Sequence, residues 1–89
     1  MPKPLVTIEN WGVVQDVISR GFEELHPGNR LTGYVLGHSN LPSTKRIFTS
    51  PIMSVDLSER VVETVNSIYQ LGKISDEYKS WTAKRKAAA

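Results

Sequence analysis

The chain contains no cysteine, and that absence removes several chemistries at once. No disulfide framework, thiolate metal site or cysteine nucleophile can be built from it. Long apolar runs are missing too. No stretch approaches the ~18 residues of a membrane span, which predicts a soluble, cytoplasmic protein without membrane contact. The segment after Met1-Pro2-Lys3-Pro4 has too few apolar residues for the hydrophobic region of a signal peptide. Glycines are scattered singly, so no phosphate-cradling loop is present. The only histidines, His26 and His38, fall in predicted loops without the ligand spacing of a zinc site. His38-Ser39, Ser50 and Asp56 supply the residue types of a hydrolase, but nothing resembles a nucleophile elbow. Glu23-Glu24 stands before a turn, and Asp76-Glu77 at a helix start where the dipole already explains it. The reading is of a non-catalytic protein with no cofactor and no metal.

What is present suits one small folded domain, residues 1–89. The chain has 89 residues, 39% hydrophobic and 22% charged, too apolar and too weakly charged for a disordered polymer. The net charge of +2 is unevenly spread. Residues 1–44 carry three cations against four anions, and residues 45–89 carry eight against five, with Lys84-Arg85-Lys86 together near the end. Such an end permits contact with an acidic partner or nucleic acid, and it equally suits a solvated helix terminus.

The pattern divides the chain into three parts. Residues 1–10 read as an extended arm or short strand. Trp11, Val14 and Ile18 then follow at helical spacing behind Asn10 as N-cap, with Gly21 as the stop, which predicts a helix over 11–20. The run Val13, Val14, Val17, Ile18 is β-branched, so a strand through Trp11–Val14 competes with that helix. His26-Pro27-Gly28-Asn29 is turn chemistry. Residues 31–72 read as a β meander, with strands at Leu31–Gly37, Lys45–Val55, Arg60–Val65 and Ile68–Leu71. Pro51 demands an edge or a bulge in the second of these, and Gly33 and Gly37 mark bends or close backbone approaches. Ser75 caps a C-terminal helix over 75–86, with acidic residues in its first turn and basic ones in its last. Tyr78 and Trp81 give it an aromatic stripe for docking. The expected class is α+β: a curved antiparallel sheet, an SH3-like barrel or half-barrel, with a helix at either end. The apolar complement makes a modest core, which leaves room for a homodimer.

Two binding roles follow. A small barrel can bind nucleic acid through a basic face with exposed aromatics, and Arg30, Tyr34, Lys45 and Arg46, together with Lys84, Arg85 and Lys86, are the candidates. Phe48 and Tyr69 join that platform only if they are exposed; the alternative is that Tyr34, Phe48 and Tyr69 are core. A protein partner could instead take an edge strand or the 38–44 loop.

The stretch Leu31–Gly72 resembles a group of small bacterial proteins of unknown activity, often carried on phages and other mobile elements. The shared features are Gly33-Tyr34-Val35-Leu36-Gly37-His38, Thr49-Ser50-Pro51-Ile52, and the run from Val62 through Asn66-Ser67 and Tyr69 to Gly72. The chain departs from the group at 39–44, where relatives carry a charged turn. The resemblance implies an accessory protein of a mobile element that binds a host or phage protein, defence systems among the targets. Asn66-Ser67 reads as a hairpin turn in which Asn uses the left-handed backbone, and Thr49-Ser50 as groups satisfying the backbone near Pro51. His38 has no evident structural duty, so His38, Thr49 and Ser50 are the candidate binding residues.

Overall fold

The computed structural model describes residues 3–16, 18, 21–36 and 45–88. Their elements run β1 (Leu5–Val14), β2 (Arg30–Leu36), β3 (Arg46–Phe48), β4 (Ile52–Asp56), β5 (Val61–Thr64), β6 (Ile68–Leu71) and α1 (Asp76–Ala88). The strands form one sheet in the order β3-β2-β1-β6-β5-β4, so the α+β class holds. No described helix is long and apolar enough to cross a membrane.

The helix expected over 11–20 does not form among the described residues. Trp11–Val14 instead extends β1 to ten residues. β1 carries a bulge: it advances from Glu9 to Gly12 while β2 moves only from Tyr34 to Thr32. Asn10 and Trp11 together face Gly33, and this extra residue puts the strand's two-residue alternation out of step. Asn10, expected as an N-cap, adopts a left-handed conformation at φ 50° inside this bulge. Residues 11–14 are all buried, the continuous apolar pattern of a strand covered on both faces. Without a helix, Gly21 has none to stop.

That burial also explains the topology. β1 lies in the middle of the sheet, antiparallel to β2 on one side and parallel to β6 on the other. The sheet is therefore mixed rather than antiparallel, and residues 31–72 are not a simple meander. The single strand expected over Lys45–Val55 is two strands, β3 and β4, on opposite edges. Pro51 separates them, and its carbonyl accepts from Val65 N–H at 3.1 Å. Beyond it, Ile52 N–H donates to Asn29 O at 2.7 Å and accepts at its own carbonyl from Gly28 N–H at 2.9 Å. These bonds bring the start of β4 to the loop before β2, but the sheet is not closed into a barrel.

The core lies along the inner face, where Ile8, Val13, Leu31, Val35 and Val62 are almost wholly enclosed. Tyr69 is buried among them, as the core reading of that residue holds. The β5–β6 turn is held by Thr64, whose backbone N–H and Oγ1 both donate to Ser67 O while Oγ1 accepts from Ser67 N–H. Asn66 does not use the left-handed backbone expected of it; Asn10 and Arg60 are the described non-glycine residues that do.

Candidate functional site

Helix α1 organises the surface. Ser75 caps it as expected, its Oγ accepting from Tyr78 N–H at 3.1 Å, and its own N–H donates to Trp11 O at 2.9 Å. The cap and the end of β1 thus fix one another. Tyr78 then enters the core, its ring 5.6 Å from Trp11 and 5.3 Å from Phe22, and its hydroxyl donates to Glu23 O at 2.7 Å. Trp81 stacks on Tyr78 with ring planes 16° apart. The Tyr78–Trp81 stripe does dock the helix, against the end of β1 and Phe22.

Burial pushes the Tyr78 hydroxyl up to about 12 from an ordinary 10.0, with the Glu24 and Glu23 charges adding to it. Burial also raises Tyr69. A raised phenol holds its proton in the folded state after the unfolded chain has lost its own. Stability is thus fully present below about pH 10 and falls between 10 and 12. Tyr78→Phe is expected to cost about 1 kcal/mol at neutral pH, through the lost bond to Glu23. The deficit should narrow at pH 11, because the variant lacks this titration. Urea unfolding at both pH values checks it, and a deficit that grows with pH would refute the assignment.

Two surface concavities flank α1. On one side a groove of about 450 Å³ is walled by Trp11, Leu25, Leu57, Ile74 and Trp81. Leu57, on the β4–β5 turn, is 66% exposed. At the rim Arg85 pairs with Glu24 at 2.9 Å and lies over Trp81, 4.8 Å from the ring centroid. On the other side a hollow of about 240 Å³ lies between the first turn of α1 and the outer face of β2 and β3.

The residues of the expected nucleic-acid platform divide. Arg46 stands opposite Tyr34 and Phe48 opposite Thr32, so with Arg30 these side chains share the outer face of β2–β3. Arg46 lies over the Tyr34 ring at 5.3 Å. Phe48 is 43% exposed and Tyr34 half-buried, whereas Tyr69 belongs to the inner face. Lys45 is exposed at the start of β3. Arg30 reaches Thr49 O at 2.9 Å, which ties it to the loop after β3. Lys84 and Arg85 are exposed on α1, and Lys86 is on that helix with its side chain outside the described residues. Arg85 is already engaged by Glu24 and Trp81.

The residues expected near Pro51 serve the fold. Thr49 is buried, its Oγ1 accepting from Leu31 N–H at 3.0 Å and donating to Ser50 O at 2.8 Å. Ser50 Oγ accepts from Asn66 N–H at 3.0 Å. Both hydroxyls satisfy the backbone around Pro51, which is the duty read from the sequence. His38 lies outside the described residues. His26 is exposed, with Nδ1 2.8 Å from Pro27 O. Among the described residues no three His, Asp or Glu side chains gather as metal ligands, and every buried side-chain polar atom has a partner. Sequence reasoning missed Leu25, Leu57 and Ile74 as groove walls and Glu77 as a wall of the hollow. Their spacing in sequence carries no signal that would have gathered them, since they meet only through the tertiary fold.

Comparison with protein-family models, with curated proteins and with solved structures finds no match to this chain.

Proposed function

We propose that this is a small non-catalytic binding module that engages a protein partner through the groove beside α1. The observation carrying this reading is the groove itself: aromatic and aliphatic walls open to solvent, with an ion pair at the rim. Apolar concavities with a few convergent polar groups are where side chains of a partner are desolvated and oriented. The occupant has matching chemistry, an apolar anchor residue flanked by polar or charged groups that meet Glu24 and Arg85. The sheet edges suit a partner less well. β3 is three residues long, and β4 carries a bulge between Ile52 and Ser54, features that discourage strand addition. The resemblance to small proteins of phages and mobile elements supports a setting inside a bacterial cell, where the partner is a host or phage protein such as a defence component. A second copy of the chain in the groove would be a homodimer and would appear in the same experiment as a doubled mass.

Leu57→Glu puts a charge into the apolar wall from an exposed turn and should leave the fold intact. Immobilised wild-type protein is expected to retain one bacterial protein in stoichiometric amount at high salt, and Leu57→Glu to lose at least nine-tenths of it, about a tenfold loss. Retention of the same protein by both would overturn the groove as the docking place.

A second reading, nucleic-acid binding, is favoured by one specific observation: Arg30, Tyr34, Arg46 and Phe48 share a face. Affinity for an oligonucleotide that falls steeply with salt would support it.

A further inference from the structure

We infer that the hollow between β3 and the first turn of α1 is a pocket for one unpaired nucleobase, with guanine the base it fits best. This rests on the second reading above and names its recognition element. Three independent features converge there. Phe48 presents a ring that is 43% exposed and makes no ring–ring contact among the described residues. An exposed phenylalanine beside cations is a stacking surface for a flat heteroaromatic base, since every base has a π face.

Arg46 forms a second wall. Its guanidinium is held by Asn10 O at 3.1 Å, by Thr32 Oγ1 at 3.3 Å and by the Tyr34 ring beneath it. Two of five donors are used, so an oriented cation with spare N–H groups remains for a phosphate or a carbonyl. Exposed Lys45 precedes it in the chain and adds charge for the backbone of the strand.

Glu77 is the third wall, and it decides the base. Its side chain is exposed and makes no hydrogen bond or ion pair among the described residues. A carboxylate only accepts, so it rejects phosphate and selects a base edge rich in donors. Guanine offers N1–H and N2–H side by side, a pair that one carboxylate accepts together. Thymine offers one N–H between two carbonyl oxygens, which an anion repels. Volume agrees with a single base, because about 240 Å³ holds a ring system and some water but no folded element.

The test is fluorescence anisotropy with short oligothymidylates, with and without one central guanine, at low and moderate salt. Wild-type protein is expected to bind the guanine-bearing strand about tenfold more tightly. Phe48→Ala should weaken binding of the guanine strand about tenfold or more. Glu77→Ala should erase the preference for guanine while leaving salt-dependent binding to oligothymidylate. All the altered side chains are exposed or at the surface, and matching thermal melts establish that the variants fold. Binding that ignores Phe48 and Glu77 would overturn the pocket and leave the nucleic-acid reading to the other cations. No binding of either strand at low salt would remove both, and the hollow would then stand only as a flank of a protein-binding surface.

Discussion

Ile8→Ala is expected to destabilise the domain by about 2–5 kcal/mol, the range for truncating a fully enclosed aliphatic side chain. Ile8 has no exposed surface and stands in β1 opposite Val35 of β2 and Leu71 of β6, so it touches both halves of the sheet. Its carbonyl also accepts from Gly72 N–H at 2.8 Å, where the chain leaves β6 for α1. A cavity there cannot be filled by one neighbour without moving a strand. The whole stability of such a domain is on the order of 5–15 kcal/mol, so the loss is a large fraction of it. A fall in Tm of about 10 °C or more should accompany it in a domain of this size. Ile18→Ala is the control: with 83% of Ile18 exposed, its change should stay within about 0.5 kcal/mol. Urea unfolding followed by tryptophan emission reads both, and equal effects would mean that β1 is not the central strand.

Gly33→Ala is the second large effect, and it acts through the bulge. A Cβ on Gly33 would stand 2.8 Å from Glu9 O and 3.1 Å from Trp11 Cα, both backbone atoms of the opposing strand. No side-chain rotation relieves such a contact, so β1 and β2 must separate where Asn10 and Trp11 bulge. We expect a loss of about 1–3 kcal/mol, as for overpacking a tight interior. Asn10→Gly, by contrast, should change stability by about 0.5 kcal/mol or less, because glycine adopts φ 50° at no steric cost. Trp11 emission should shift in Gly33→Ala alone, since Trp11 Nε1 donates to Gly72 O at 3.1 Å and reports on the strand's position. A Gly33→Ala variant as stable as wild type would mean that the strands do not approach as described.

The two concavities give α1 a double duty. One flank, with Trp81 and Arg85, walls the groove, and its first turn, with Glu77, walls the hollow. Tyr78 packs beneath α1 and its ring also lines the groove, so Tyr78→Phe, which keeps the ring and weakens the tie to Glu23, tests the scaffold. Leu57→Glu and Phe48→Ala alter one surface each. Crossing them against an oligonucleotide and a retained protein separates the binding roles without unfolding the helix that supports both.

Local chemistry was legible before any fold was known. Ser75 as a cap, the acidic first turn of α1 and the strands around 31–36, 61–64 and 68–71 all depend on neighbours in sequence. Their hydrogen bonds or alternation are written within a few residues. The helix misread over 11–20 marks where that locality fails. Trp11–Val14 is buried throughout, a run that the sequence leaves open between helix and strand, and pairing with β2 decides for the strand. Tertiary pairing also decided that β1 lies beside β6 in parallel and that Pro51 separates two strands on opposite edges. It brought Tyr34, Arg46 and Phe48 to one face and turned Tyr69 to the other, because register between distant strands assigns side chains to faces. The groove and the hollow belong to the same class of fact. Each is assembled from turns, strand and helix that meet only when the most apolar strand takes the centre of the sheet.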